Sequence, residues 1–225
     1  MVYEPDEVVS NGTEGGPTSQ TLPSGVELTY SLSGRGRDST VIPVLLRGVR
    51  TVEWDADDPN GDLLDFHLWI RSDDELEWKL LAGPIERQIH TWDSVSMPDG
   101  RYRMKVVATD RPSNPPDHSA EGEAESDPFV VDNSPPALAG LEVSRTGGGV
   151  EVSGRVADSW TPISRVEVSI DYGDWKTAHS RDGSYDSTEE SFEASLEVEP
   201  GPELAVSVRA VDRAGNVSVE RTVVR

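Results

Sequence analysis

The sequence predicts an all-β protein made of two antiparallel β-sandwiches in tandem, preceded by an irregular N-terminal arm. Three observations predict it: short apolar stretches that alternate residue by residue, turn signals at regular intervals, and an internal repeat of about 100 residues. No segment of any length has apolar residues at helical spacing.

Successive side chains of a strand point to opposite faces, so a strand buried on one side reads as apolar at every second residue. In DFHLWI, Phe66, Leu68 and Ile70 share a face, and in YRMKVVA, Tyr102, Met104, Val106 and Ala108 do. The same pattern aligns Val150, Val152 and Val156, then Val166, Val168 and Ile170, then Leu204, Val206, Val208 and Ala210. Between these lie Asn60-Gly61, Pro98-Asp99-Gly100, Gly147 to Gly149, Asp182-Gly183 and Pro200-Gly201, all residues that favour turns.

VVATDRPSN at 106–114 matches VRAVDRAGN at 208–216, pairing Asp110 with Asp212 and Asn114 with Asn216 at an offset of about 102. Ala56-Asp57 pairs with Ala157-Asp158, and Trp78-Lys79 with Trp175-Lys176, at slightly smaller offsets. A unit of this length is one seven-stranded sandwich. The expected organisation is an arm over 1–25, rich in Gly, Ser, Thr, Pro and acid, a first sandwich over 26–134 and a second over 135–225. Pro135-Pro136 in DNSPP stiffens the junction, because each ring fixes φ.

The 225 residues carry 42 acidic and 20 basic side chains, a formal charge of −22, which repels a polyphosphate and argues against nucleic-acid binding. There is no cysteine, and therefore no disulfide, thiolate metal site or cysteine nucleophile. No apolar stretch is long enough to span a bilayer, and the first residues have neither a basic nor an apolar signal region. The expectation is an extracellular, periplasmic or cell-surface protein whose export signal lies outside this chain.

The strings WDADDPNGDLLDFHLWIRSDDELEWKLLA, MPDGRYRMKVVATDRPSNPP and SDPFVVDNSPP, with RVADSWTPISRVEVSIDYGDWKTA and VRAVDRAGN in the second copy, resemble the immunoglobulin-like and fibronectin type III-like modules of bacterial secreted proteins. Such modules often lie C-terminal to β-propeller or hydrolase domains. The resemblance covers residues 50 to 225 and implies a spacer, assembly or adhesion role beside another domain, with no reaction of its own.

The loop Asp55, Asp57, Asp58, Asn60, Asp62 offers oxygen ligands of the kind calcium takes, though Pro59 and the missing twelfth-position glutamate depart from EF-hand spacing. The same string reads first as a turn, with Asp and Asn bonded to backbone amides. Asp110 and Asp212 read as loop caps closed by Asn114 and Asn216. Trp78 and Trp175 are expected in or against the cores, whereas Trp69, Trp92 and Trp160 would form a sugar-binding surface if they converged. Neither a G-x-S-x-G elbow nor a fitting Ser, His and Asp set occurs.

The sequence thus reads as a non-enzymatic spacer or interaction module whose partner is another protein or a neighbouring domain of the same polypeptide. A carbohydrate-binding accessory module is the alternative, and a calcium-stiffened adhesion module the further one. No cofactor other than calcium is implied.

Overall fold

The computed structural model describes the backbone of residues 18–21 and 27–30, and residues 48–198 and 201–225 in full. The chain divides into two compact units, Met1–Val131 and Asp132–Arg225. Among the described residues there is no helix. Of the arm expected over 1–25, only β1 (Thr18–Thr21) is described, paired antiparallel with β2 (Glu27–Tyr30); the rest lies outside the described residues.

In the first unit, β3 (Val49–Glu53), β4 (Asp65–Ser72), β5 (Lys79–Ile85), β6 (Ile89–Asp93), β7 (Gly100–Thr109), β8 (Glu121–Glu125) and β9 (Phe129–Val131) form two antiparallel sheets. One is the pair β3-β6. The other runs β5-β4-β7-β8, with β9 continuing on the β8 side of β7. The alternation sets which side is sealed: Phe66, Leu68 and Met104 are buried, and Leu68, Ile70, Tyr102 and Met104 meet Val52, Trp92 and Val131 in one cluster. Rings dominate it, with Trp92 edge-on to Phe129 at 6.1 Å and Tyr102 stacked on Phe129 at 6.3 Å. The Tyr102 hydroxyl donates to the carbonyl of Pro98 at 2.8 Å, tying the start of β7 to the corner before it. That tie is the tyrosine corner of immunoglobulin-type sandwiches.

In the second unit, β10 (Ala137–Thr146), β11 (Gly149–Ala157), β12 (Ile163–Ile170), β13 (Lys176–Thr177), β14 (His179–Ser180), β15 (Glu189–Glu197), β16 (Leu204–Asp212) and β17 (Val217–Val224) form sheets ordered β10-β11-β15-β14 and β13-β12-β16-β17. Crossing between sheets after β11, β13 and β15 gives the order of an immunoglobulin or fibronectin III sandwich. Eleven of the thirteen buried residues in its core are Val, Ala or Leu, so one large side chain, Phe192, fills the middle. Its ring stands where residue 154 has no side chain: a Cβ on Gly154 would lie 2.8 Å from Phe192 Cζ.

The last strand inverts the usual pattern. Val217, Val219 and Val223 of β17 are exposed, while the Ser218 hydroxyl is buried without a hydrogen-bond partner among the described residues.

Removing Phe192 empties the centre of a core whose small neighbours cannot collapse into the space. Phe192→Ala is expected to destabilise the second unit by about 3–5 kcal/mol, read from urea unfolding of the full chain. A loss under about 1 kcal/mol would mean the core is not closed around this ring.

Candidate functional site

Each unit gathers carboxylates where loops leave its sheets. In the first unit, Asp58 follows β3 and its Oδ1 accepts the amides of Asn60 at 2.8 Å and Asp62 at 3.1 Å, while Gly61, at φ +75°, supplies the left-handed turn. From the far side, Asp110 follows β7. Its Oδ1 accepts the Ala120 amide at 2.7 Å. The Asn114 side-chain amide donates to both Asp110 Oδ2 and Asp62 Oδ2, each at 3.0 Å. One oxygen from each of Asp58, Asp62 and Asp110 lies within 4.8 Å of the others.

The second unit repeats the device with a different third member. Asp158 Oδ1 accepts the amides of Trp160 and Thr161 at 2.8 and 2.9 Å. The Asn216 side chain donates to Asp212 Oδ2 at 2.9 Å and to the carbonyl of Asp132 at 3.1 Å. Asp132 itself, 5 % exposed, accepts the Thr161 hydroxyl at 2.5 Å and completes a trio with Asp158 and Asp212. Burial pushes Asp132 up to about 6; the Asp158 and Asp212 carboxylates add to the rise, against the hydrogen bonds from Thr161 and Ser134. Burial raises Asp212 as well.

A third trio joins Asp182 and Asp186, in the loop before β15, to Glu190 of β15. Glu190 is buried and accepts the amides of Asp186 and Ser187 at 3.0 Å, with the Ser180 hydroxyl at 3.0 Å on its other oxygen. No histidine belongs to any trio among the described residues.

Of the five residues in the loop singled out for calcium, Asp58 and Asp62 reach the first trio. Asp55, Asp57 and Asn60 are exposed and stay out of it. Asp58 Oδ2 and Asp62 Oδ1 are the oxygens left without a hydrogen bond among the described residues. The position equivalent to Asp158 by hydrogen bonding is Asp58, one residue on from the Asp57 that the repeat aligns with it. Sequence reasoning treated Asp110 and Asp212 only as caps and read Asp132 as junction. Their repeat spacing beside further acids was the available signal.

The three rings do not form one surface. Trp92 is 5 % exposed inside the first core, because it pairs with Arg50 on the inward side of β3-β6. Trp69 lies half-buried on the outward side of the other sheet, and Trp160, 39 % exposed, belongs to the second unit. Trp78 and Trp175 are half-buried and outside both core clusters. Arg71 lies over Trp78 at 4.9 Å and Arg209 over Trp175 at 4.4 Å, since both rings lie with outward-pointing cations.

No family model matches the sequence, and no curated protein does. Among solved structures, the FN1–FN3 domains of chicken CNTN1 align with 79 % of this chain and 63 % of that one, at 17 % identity and a TM-score of 0.41. This chain therefore spans 63 % of that fragment. The chicken interferon gamma receptor alpha chain aligns over 79 % of this chain and 92 % of its own, at 15 % identity and a TM-score of 0.32. The assignment to the immunoglobulin or fibronectin III sandwich class rests on the strand order and the tyrosine corner.

A carboxyl whose pKa is higher folded than unfolded binds its proton more tightly in the native state. Stability from Asp132 therefore falls as pH rises from its ordinary 3.8 to about 6, and the full cost persists above. Asp132→Asn is expected to gain on the wild type across that window, by no more than about 3 kcal/mol at pH 7. Urea unfolding of both proteins from pH 4 to 7 checks this, and a pH-independent difference contradicts it.

Proposed function

We propose that the chain is a non-enzymatic spacer and interaction module, of the kind that holds or extends a neighbouring domain outside the cytoplasm. The observation that carries the reading is the use made of its buried polar groups. Asp110, Asp212, Glu190 and Asn216 are at most 6 % exposed, and their side chains hold amides and side chains of their own loops, a rigidifying role. A catalytic acid or nucleophile instead needs lone pairs or protons aimed at a substrate.

A carbohydrate-binding role would draw on Trp69 or Trp160, because Trp92 is in the core. Titration of intrinsic tryptophan fluorescence with neutral and acidic polysaccharides separates the readings. A spacer gives no change, and saturable quenching would replace it with the carbohydrate reading.

The second reading, calcium stiffening, is favoured by one observation: Asp58, Asp62 and Asp110 converge from two loops. The donor set fits calcium in kind, since it is all oxygen, with Asp58 Oδ2 and Asp62 Oδ1 free to take an ion that keeps several waters. Bound there, the ion would offset repulsion among the three carboxylates and join the loops after β3 and β7. Melting of the full chain is expected to rise by a few degrees in about millimolar calcium relative to chelator. Asp62→Asn is expected to abolish the rise, and equal midpoints for the wild type would rule the reading out.

A further inference from the structure

The sandwich of the first unit is open along the β8 edge. Side chains that face the opposite sheet shrink from β4 through β7 to β8: Phe66, Ala108 and Gly122 form one register row, and Leu68, Val106 and Ala124 the next. Across from them, Trp54, the residue after β3, stands edge-on to Phe66 at 5.3 Å. In the second unit β10 lies against β17 and β16 at the matching edge. Among the described residues, the opposite sheet of the first unit has no strand beyond β3 to do the same. Gly122 and Ala124, although turned inward, are therefore exposed. The space left is a cleft of about 360 Å³, with apolar walls formed by Trp54, Leu64, Val106, Ala108, Ala120 and Ala124.

The mouth of this cleft is acidic. Asp55, Asp57 and Asp58 line it from one side and Asp110, Glu121 and Glu123 from the other, and no Lys, Arg or His lines it among the described residues. An adjoining cleft shares Asp57 and Asp58 and adds Asp62, Asp65 and Glu86, again without a basic side chain. Some of these carboxylates are already engaged. Asp110 holds Ala120 and Asn114, Glu121 meets Arg111 at 2.8 Å, and Glu123 meets Lys105 at 3.2 Å. Asp55 and Asp57 have no hydrogen-bond or ion-pair partner among the described residues, and Asp58 keeps Oδ2. Arg87, beside the Gln88 that bonds Ala56, makes no ion pair among the described residues either.

We propose that this cleft receives an arginine side chain from an extended segment of a partner protein, with its stem against Val106, Ala108 and Ala124 and its guanidinium between Trp54 and the carboxylates of Asp55 and Asp57. A long cationic side chain has an aliphatic stem and a charged head, and the cleft offers a surface for each. A metal ion has no use for the apolar walls, and a neutral apolar group has none for the mouth. Arginine is preferred to lysine because its planar head lies flat on rings and forks onto carboxylates. The fold already uses that pairing at Arg71 on Trp78 and Arg209 on Trp175, whereas Trp54 has no cation over it among the described residues. The charge of −22 on the whole chain draws a basic partner in. The inference rests on the interaction-module reading and gives it a partner; a plain spacer would fail the test below and still satisfy the fluorescence test above.

The probe is the blocked pentapeptide GGRGG, titrated into the isotopically labelled full chain at about 0.15 M salt and followed by amide NMR. Chelator is present, so that no ion competes at Asp58. Saturable shifts are expected at Gly122, Ala124 and the Trp54 indole, with a Kd of about 1 mM or tighter. Lysine in place of arginine is expected to bind more weakly, and citrulline, the neutral counterpart of arginine, not to bind. D55N/D57N removes the charge and Ala124→Leu fills the cleft; each, at exposed positions, is expected to weaken binding at least tenfold, and either serves if circular dichroism shows the other unfolded. E142Q/E151Q makes the same charge change in the second unit and is expected to leave binding unaltered. Absence of shifts up to about 10 mM peptide, shifts confined to other residues, or equal binding of citrulline overturns the proposal. Binding that survives both cleft variants, or that E142Q/E151Q weakens as much as D55N/D57N does, overturns it as well.

Discussion

A pleated sheet sealed on one side needs a second apolar surface to close against, and in each unit that closure supports everything else. The units satisfy it with different materials. The first interlocks rings, Trp92, Tyr102 and Phe129, whereas the second relies on valines around Phe192. Burying one such side chain contributes about 1.5–3 kcal/mol, so neither core needs a disulfide to hold a sandwich of this size. The aromatic core has a polar handle in the Tyr102 hydroxyl, which fixes the corner before β7. In the second unit Leu204 stands at the corresponding repeat position and has no such handle.

The sheets position the acids. Asp110 and Asp212 each fall at the end of the long strand that leads into the last loop, with an asparagine four residues on whose side chain reaches back. The loop is thereby closed by a short local ring of hydrogen bonds, which costs little chain entropy to form. The carboxylates that cross from the opposite sheet, Asp58 and Asp158, meet these caps, because both loops leave the sandwich at one end. Burial is unfavourable for such charged trios, and it raises the proton affinity of Asp132.

The strands were legible because their signal is local: alternation at Phe66, Leu68 and Ile70 or at Val206, Val208 and Ala210 depends only on which side faces the core. The site was legible in part. Asp58 and Asp62 belong to one short loop, but Asp110 lies about fifty residues away, and only the closed sandwich brings it near. Trp92 shows the opposite difficulty. A ring before a turn reads as exposed, yet its side of β6 is set by pairing with β3, a contact between strands far apart in sequence. Trp78 and Trp175 misled for a related reason, since size alone suggests a core residue and the cations beside them are supplied by other strands.

Where β8 gives way to β9, Pro128 has no amide to donate, and Ser126 bridges the gap by bonding to both the amide and the carbonyl of Met104. The margin of that sheet is thus a short, fully exposed stretch bearing three glutamates, then a break. A stray β-strand seeking to zip alongside would meet like-charged side chains and an interrupted row of donors and acceptors. Modules crowded together on a surface, or strung in series, are thereby kept from fusing into a common amyloid-like ribbon.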